Sequence, residues 1–470
     1  MTDTDTDRLV DAKTPAYVAL ADAVWNTPEL NFTEFRSAAA HRSQLVREGF
    51  RITDAVAGLP TALMAEAGAG GPVIAILGEY DALPGLSQQA GIAEPRPLPA
   101  SDNGHGCGHN LLGAASLLAA AAVKDHLAAQ GLPGRVRYYG CPAEEGGSAK
   151  GFMVRAGCFD DVDVAICWHP AAFTGVNTPI SLACNEIDFR FVGRAAHAAA
   201  APELGRSALD ALELMNIGVN YLREHMPSTA RIHYAHVDSG GIAPNVVQAR
   251  AAIRYLIRAR TLPELHALNA RVYAIAEGAV LMTETSVTWS IVSGDANLVG
   301  NTPLEQLMHA QLERLGPPVF DAADRAFAAE IQSTLTADDI ATSGARFGLR
   351  PAPGESLSAS IYPLGAGDGT LVGSTDVGTV SWVVPTVQMR GATYAIGTPS
   401  HSWQLVAQGK APAAHKGMAH AAKAMAATAV ALFDDPASIA SAKADHAARL
   451  AGTPFVNPIP DDVMPPLPAA

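Results

Sequence analysis

"NEIDFRFVG" (Asn185 to Gly193) decides how this chain is divided. Polar and apolar residues alternate through it from Glu186 to Phe191, as they should in a strand with one face buried and one exposed. The strand-like runs before it have a different texture. "PVIAIL" (Pro72 to Leu77) and "VDVAIC" (Val162 to Cys167) are apolar almost throughout, as strands covered on both faces are. "RVRYYG" (Arg135 to Gly140) is a more polar strand candidate, and the Ala/Leu-rich stretch from Leu111 to Ala129 between these runs is helical. "TPAYVALADAVW" (Thr14 to Trp25) carries a Thr cap and a Pro in the first turn, so a helix is expected to start there. Strand and helix in alternation predict a largely parallel sheet covered by helices.

Beyond Asn185 the order becomes β-α-β-β-α-β. A helix is expected over Ser207 to His225, strands near Arg231 to Val237 and Gln248 to Arg258, a helix over Leu262 to Met282 and a strand near Ser286 to Ser293. That is the ferredoxin-like pattern, here as a compact insertion. The fold class expected is therefore α/β, with a sheet domain from residues 1–184 and 299–470 and an inserted α+β domain over 185–298. The tail "NPIPDDVMPPLPAA" is Pro-rich and expected to be irregular.

Composition narrows the function. The 470 residues carry 32 basic and 46 acidic side chains, a net charge of −14. Such a chain is a poor partner for nucleic acid or an anionic membrane. "MTDTDTDRLV" shows no basic n-region or apolar h-region, so no signal peptide is expected. The longest apolar run, "LLGAASLLAAAAV" (Leu111 to Val123), is too short to span a bilayer and reads as a buried helix. Five cysteines, none in a C-x-x-C pair, argue for free thiols and a reducing cytoplasm.

Four short stretches carry ligand chemistry. "GHGCGHN" (Gly104 to Asn110) places Cys107 and His109 two apart among glycines, and thiolate and imidazole are the usual zinc ligands. "CPAEEGG" (Cys141 to Gly147) puts Glu144 and Glu145 at a strand's carboxyl end. Adjacent side chains diverge, so one carboxylate can bind a cation while the other faces a water. His169 follows an apolar strand in "CWHP", and His401 lies in the Gly/Pro/Ser loop "GTPSHSW". Each stretch alone has a plain structural reading. Together they offer five ligand-type groups and a spare carboxylate, which suits two adjacent ions and predicts a metal-dependent hydrolase.

With these stretches in place, the sequence resembles the M20 metallopeptidase and amidohydrolase family. "GEYDALPG" (Gly78 to Gly85), "GHGCGHN", "PAEEGG", "WHP", "GRAAHAA" (Gly193 to Ala199), "APNVV" (Ala243 to Val247), "GSTDVGTVSW" (Gly373 to Trp382) and "GTPSHSW" occur in family order. The branch it most resembles holds aminobenzoyl-glutamate hydrolase subunits and related N-acyl amino acid amidohydrolases. The resemblance implies a zinc-peptidase-like catalytic domain with an inserted lid and dimerisation domain, working as a homodimer. It implies two divalent ions, Zn2+ or Mn2+, bound by Cys107 as the bridging ligand with His109, Glu145, His169 and His401. Glu144 matches the general base. The family's His-x-Asp pair reads Glu79, Tyr80, Asp81 here. His109 is then expected to replace the missing histidine, with Asp81 orienting a ligand.

In the insertion, the resemblance implies that His197 polarises the scissile carbonyl of a partner subunit's substrate and that Asn245 touches substrate. In "ARAAIRYLIRAR", Arg250, Arg254, Arg258 and Arg260 share one strand face. Arg254 or Arg258 is a candidate clamp for the substrate carboxylate. The expected activity is hydrolysis of the amide of an N-acyl amino acid. A dipeptidase of the same family is the nearest alternative, and a non-catalytic subunit of a hetero-oligomeric hydrolase is the other.

Overall fold

The computed structural model describes residues 5–345, 347–366 and 373–468. Its strands are β1 (Arg51–Asp54), β2 (Leu63–Ala69), β3 (Val73–Glu79), β4 (Gly134–Cys141), β5 (Val164–Ala171), β6 (Gly175–Val176), β7 (Ala183–Val192), β8 (Arg231–Asp238), β9 (Arg250–Ala259), β10 (Ser286–Asp295) and β11 (Thr386–Ala392). They form two sheets. The larger has seven strands in the order β1-β2-β4-β3-β5-β11-β6. Its centre, β4-β3-β5-β11, is parallel, and β1, β2 and β6 add antiparallel edges. It is a mixed sheet of the α/β class.

Every residue of β3 is buried, because helices cover both faces. On one face lie the helices Asp5–Trp25, His109–Gln130 and Pro412–Asp434, whose apolar side chains build the largest core with the sheet. The short helices Ala149–Arg155 and Val377–Ser381 pack on the other face. The helix His109–Gln130 is longer than the apolar run predicts, and by length and composition it could cross a membrane. It is instead the central helix of the core, buried without a break from His109 to Val123. Alanine, glycine and serine among its buried residues let sheet and helices approach it closely.

The smaller sheet contains β7 to β10 in the order β10-β7-β9-β8, antiparallel throughout. The helices Ala208–Leu222 and Leu262–Thr283 cover one face of it. Ile187, Phe189 and Phe191 of the alternating stretch point into that core, at no more than 1% exposure. The chain leaves the large sheet after β6, builds the second sheet and returns to the first at β11.

One helix start differs from the expectation. The helix begins by Asp5, and Thr14 and Pro15 lie inside it. The Thr14 hydroxyl donates back to the Val10 carbonyl (2.9 Å), a bond made within a helix and not at its cap. The Pro-rich tail is irregular as expected, yet it is docked. Ile459 is fully buried, and the Pro458 carbonyl accepts from Asn185 Nδ2 (2.8 Å).

Candidate metal centre

The site sits at the carboxyl ends of β3, β4 and β5, where functional groups collect in open α/β sheets. Two glycines make its assembly possible. Gly108 has φ 83°, in the left-handed region, and a Cβ there would sit 2.9 Å from Cγ of Pro170. The missing side chain lets the turn between Cys107 and His109 press against the end of β5, beside His169. Gly106 does the same for the distant loop. Its carbonyl accepts the His401 N–H (2.9 Å), and a Cβ would crowd both Leu86 and His401. His401 itself has φ 56°, a strained conformation for a non-glycine residue that is held where the site needs it.

The five expected ligands converge. Cys107, His109 and His169 form one group of possible ligand atoms, and Cys107, Glu145 and His401 form another; in each, all atoms lie within 4.8 Å of one another. Cys107 belongs to both. His169 Nε2 lies 3.2 Å from Cys107 Sγ, and His401 Nε2 lies 3.4 Å from Glu145 Oε2. His109 is the first residue of its helix and His169 lies within β5, so both stand on rigid elements and not in loops. The His401 side chain is 51% exposed against 8% for Glu145, which places the mouth of the site on the His401 side.

Hydrogen bonds aim these rings. His109 Nδ1 donates to Asp81 Oδ1 (2.7 Å), and Asp81 Oδ2 accepts the Glu145 backbone N–H (2.8 Å). His169 Nδ1 donates to the Pro170 carbonyl (2.8 Å), which leaves its Nε2 lone pair facing Cys107. Burial, with Arg390 and His109 nearby, pushes His169 well below the ordinary histidine range, so the ring is neutral. Burial works against charge on His109 too, but Cys107 and Asp81 outweigh it and raise it well above that range. Burial and neighbouring carboxylates raise Glu144 well above the ordinary glutamate, and burial raises Cys107 and Glu145.

The donor set fits a divalent cation. His109 Nε2, Glu145 Oε1 and Glu79 Oε2 are buried with no hydrogen-bond partner among the described residues. Buried polar atoms left without a partner in this way cost free energy unless a bound cation or a proton satisfies the site. A thiol, imidazoles and carboxylates are the ligand types divalent zinc and manganese accept.

Several supporting residues carry no signal in sequence. Glu34 accepts the Ala143 N–H (2.8 Å) and the Thr61 hydroxyl (2.9 Å), bracing the turn that presents Glu144; burial and the Asp81 charge push it up to about 8. Lys150 is fully buried between Glu79 Oε1 and Asp376 Oδ1, each at 2.6 Å. Glu79, read in sequence only as a missing histidine, turns its other oxygen to His109 Nε2 (3.3 Å). His105 is not part of the site and is buried against the Val24 carbonyl (3.0 Å).

The residues expected from the insertion are not brought there. His197 and Asn245 are exposed neighbours on the second domain, where residue 197 pairs with Val246. His197 Nδ1 accepts the N–H groups of Ala199 (3.2 Å) and Ala200 (3.1 Å), so Nε2 carries the proton of the neutral ring. Neither residue lines the cavity at the metal centre, and neither Arg254 nor Arg258 does. Arg254 is occupied by Asp188 (2.6 Å) and Glu186 (3.7 Å), which neutralise the charge a clamp would need. Arg258 Nε is buried without a hydrogen-bond partner among the described residues.

Residues 75–433 match the model of peptidase family M20/M25/M40. The chain belongs to that family. It is 48% identical to a subunit of the p-aminobenzoyl-glutamate hydrolase of Escherichia coli, over 98% of both chains. It is 29% identical to the Xaa-Arg dipeptidase of Mus musculus, over 93% of this chain and 90% of that one. The fold matches a dinuclear metal-binding M20 peptidase from Bacillus subtilis with a TM-score of 0.57 and 18% identity, covering 90% of this chain and 99% of the other. The protein is an amidohydrolase of the M20 family.

Proposed function

We propose that this enzyme cleaves the amide bond of N-acyl amino acids with an aromatic acyl group, using two divalent ions held by Cys107, His109, Glu145, His169 and His401. The observation that carries the reading is the sharing of Cys107 between two ligand groups, with the Glu144 carboxylate on the same cavity wall. Thiolate softness favours zinc over manganese. When bound, the ion pair supplies an activated water and a polarised carbonyl. Glu144 takes a proton from the attacking water on its carboxylate oxygen and delivers it to the departing amine nitrogen. Asp81 keeps His109 and Glu145 in register throughout.

The cavity holds about 410 Å³. Phe347 and Tyr394 supply aromatic wall, and Phe347 is seated against Phe173 (5.4 Å) and Tyr362 (5.2 Å). An aromatic acyl group suits that wall, in agreement with the substrate named for the Escherichia coli relative.

The oxyanion donor comes from a second copy of the chain, through Nε2 of its His197, with Asn245 beside it. Tyr234, Val237, Ile242 and Val246 are exposed apolar residues in β8 and the loop that carries Asn245. With the edge strand β8 they make a surface suited to a partner. The Escherichia coli relative is itself one subunit of a larger hydrolase by its name.

Glu144→Gln tests the chemistry. Turnover of aminobenzoyl-glutamate should fall by roughly 10²–10⁴-fold, with metal per chain unchanged by elemental analysis. Retained turnover would remove Glu144 from the mechanism. Side-by-side assays of aminobenzoyl-glutamate, an indoleacetyl amino acid and a β-alanyl dipeptide test the substrate class. A preference for the dipeptide would replace this reading with a dipeptidase.

A further inference from the structure

One wall of the cavity is not used by the hydrolytic chemistry. Arg390 lines it, and it is the only arginine or lysine among the described lining residues. The residue is paired in register with His169 across β11 and β5. Neighbouring strands lie about 4.8 Å apart and paired residues project to the same face. The guanidinium therefore stands one strand away from the metal-binding end of the cavity.

A small relay fixes it. Arg390 Nε donates to Asn177 Oδ1 (3.1 Å), and Asn177 Nδ2 donates to Gln388 Oε1 (2.8 Å). The Asn177 backbone N–H is itself bound by the Gln388 carbonyl (2.8 Å). One edge of the guanidinium is thus held by a neutral amide, and among the described residues no carboxylate pairs with the rest of it. Arg254 is the contrast, because two acidic neighbours already occupy it. A fixed guanidinium with no carboxylate partner among the described residues, lining the same cavity as Glu144 and Glu145, is an arrangement that binds an anionic ligand group.

We infer that Arg390, aligned by Asn177, binds the carboxylate of the amino acid half of the substrate. This rests on the N-acyl amino acid reading. In such a substrate the α-carboxylate is three bonds from the scissile carbonyl carbon, so both ends fit one cavity. Arg390 then selects free acids over amides and esters, and takes the clamp role from the neutralised Arg254.

N-benzoylglutamate and its diamide, which lacks both carboxylates, are the probes. Kinetics are measured on the intact enzyme and calorimetric binding on the Glu144→Gln chain. Arg390→Met should raise KM and Kd for the diacid by roughly 10- to 100-fold, with kcat within about 3-fold, and leave binding of the diamide unchanged. Arg390→Lys should recover part of the loss. Asn177→Leu should give a smaller loss of the same selectivity, and it carries the test if Arg390→Met does not fold. Equal losses on diacid and diamide would overturn the inference, as would an acid-selective loss in Arg254→Met and none in Arg390→Met. Arg390-dependent binding of the diacid without cleavage by the intact enzyme would sink the amidohydrolase substrate reading and leave the anchor standing. Cleavage with an Arg390-independent Kd would sink the anchor alone.

Discussion

Asp81 holds two neighbours at once. One oxygen takes the Nδ1 proton of His109, and the other takes the backbone N–H of Glu145. Both partners donate, so both oxygens must accept. An asparagine offers one acceptor and one N–H, and the N–H would face another donor. Asp81→Asn should therefore loosen one ligand while keeping the side chain's shape. The expected result is a metal affinity lower by about 10- to 100-fold, read by titrating zinc into stripped protein. Unchanged affinity would show that ligand orientation does not depend on Asp81. The ligands themselves are legible as residue types in strand-end and Gly-rich stretches. Glu34 is not, because its partners are a backbone N–H and a hydroxyl whose positions exist only after folding. Arg390 is equally silent. It sits in an apolar strand as a single charge, and only its register opposite His169 gives it a role.

Between elements, a fully buried polar tie is built around Lys150. It joins the end of β3 through Glu79, the helix Ala149–Arg155 that carries Lys150, and the start of the helix Val377–Ser381 through Asp376. Burial alone would lower the lysine, but Asp376 and Glu79 raise it well above the ordinary range, so the ammonium is charged. Lys150→Met leaves two buried carboxylates without a counter-charge. The cost should be about 3–5 kcal/mol, measured by denaturant unfolding, and a loss under about 1 kcal/mol would mean that the carboxylates protonate or reach water. Local pattern shows the elements these residues join. Continuous apolar runs mark β3 and β5, and alternation marks β7, each to within a few residues. The first helix is misread because Thr-Pro imitates a helix start, while the hydrophobic contacts of Val10 and Tyr17 extend the helix through it. The Lys150 tie has no local pattern, since its members lie 71 and 226 positions apart.

At the scale of the whole molecule, the second domain raises a question of supply. The sequence pattern shows an insertion, but not which surface it presents, because that depends on packing against a partner. The metal centre and the Arg390 wall belong to the large sheet domain, whereas His197 and Asn245 stand exposed on the other. If His197 serves a second copy, each active site combines Glu144 of one chain with His197 of its neighbour. Two inactive variants then become a test of architecture. His197→Ala keeps Glu144 and lacks the donor; Glu144→Gln keeps the donor and lacks the base. In a mixture of equal amounts that exchanges freely, half the dimers are mixed, and each mixed dimer has one site with both groups intact. About a quarter of wild-type activity should return, and it should rise with the exchange of subunits followed by native mass spectrometry. If the mixed dimers form and activity stays at the level of the separate variants, His197 does not act across a copy of this chain.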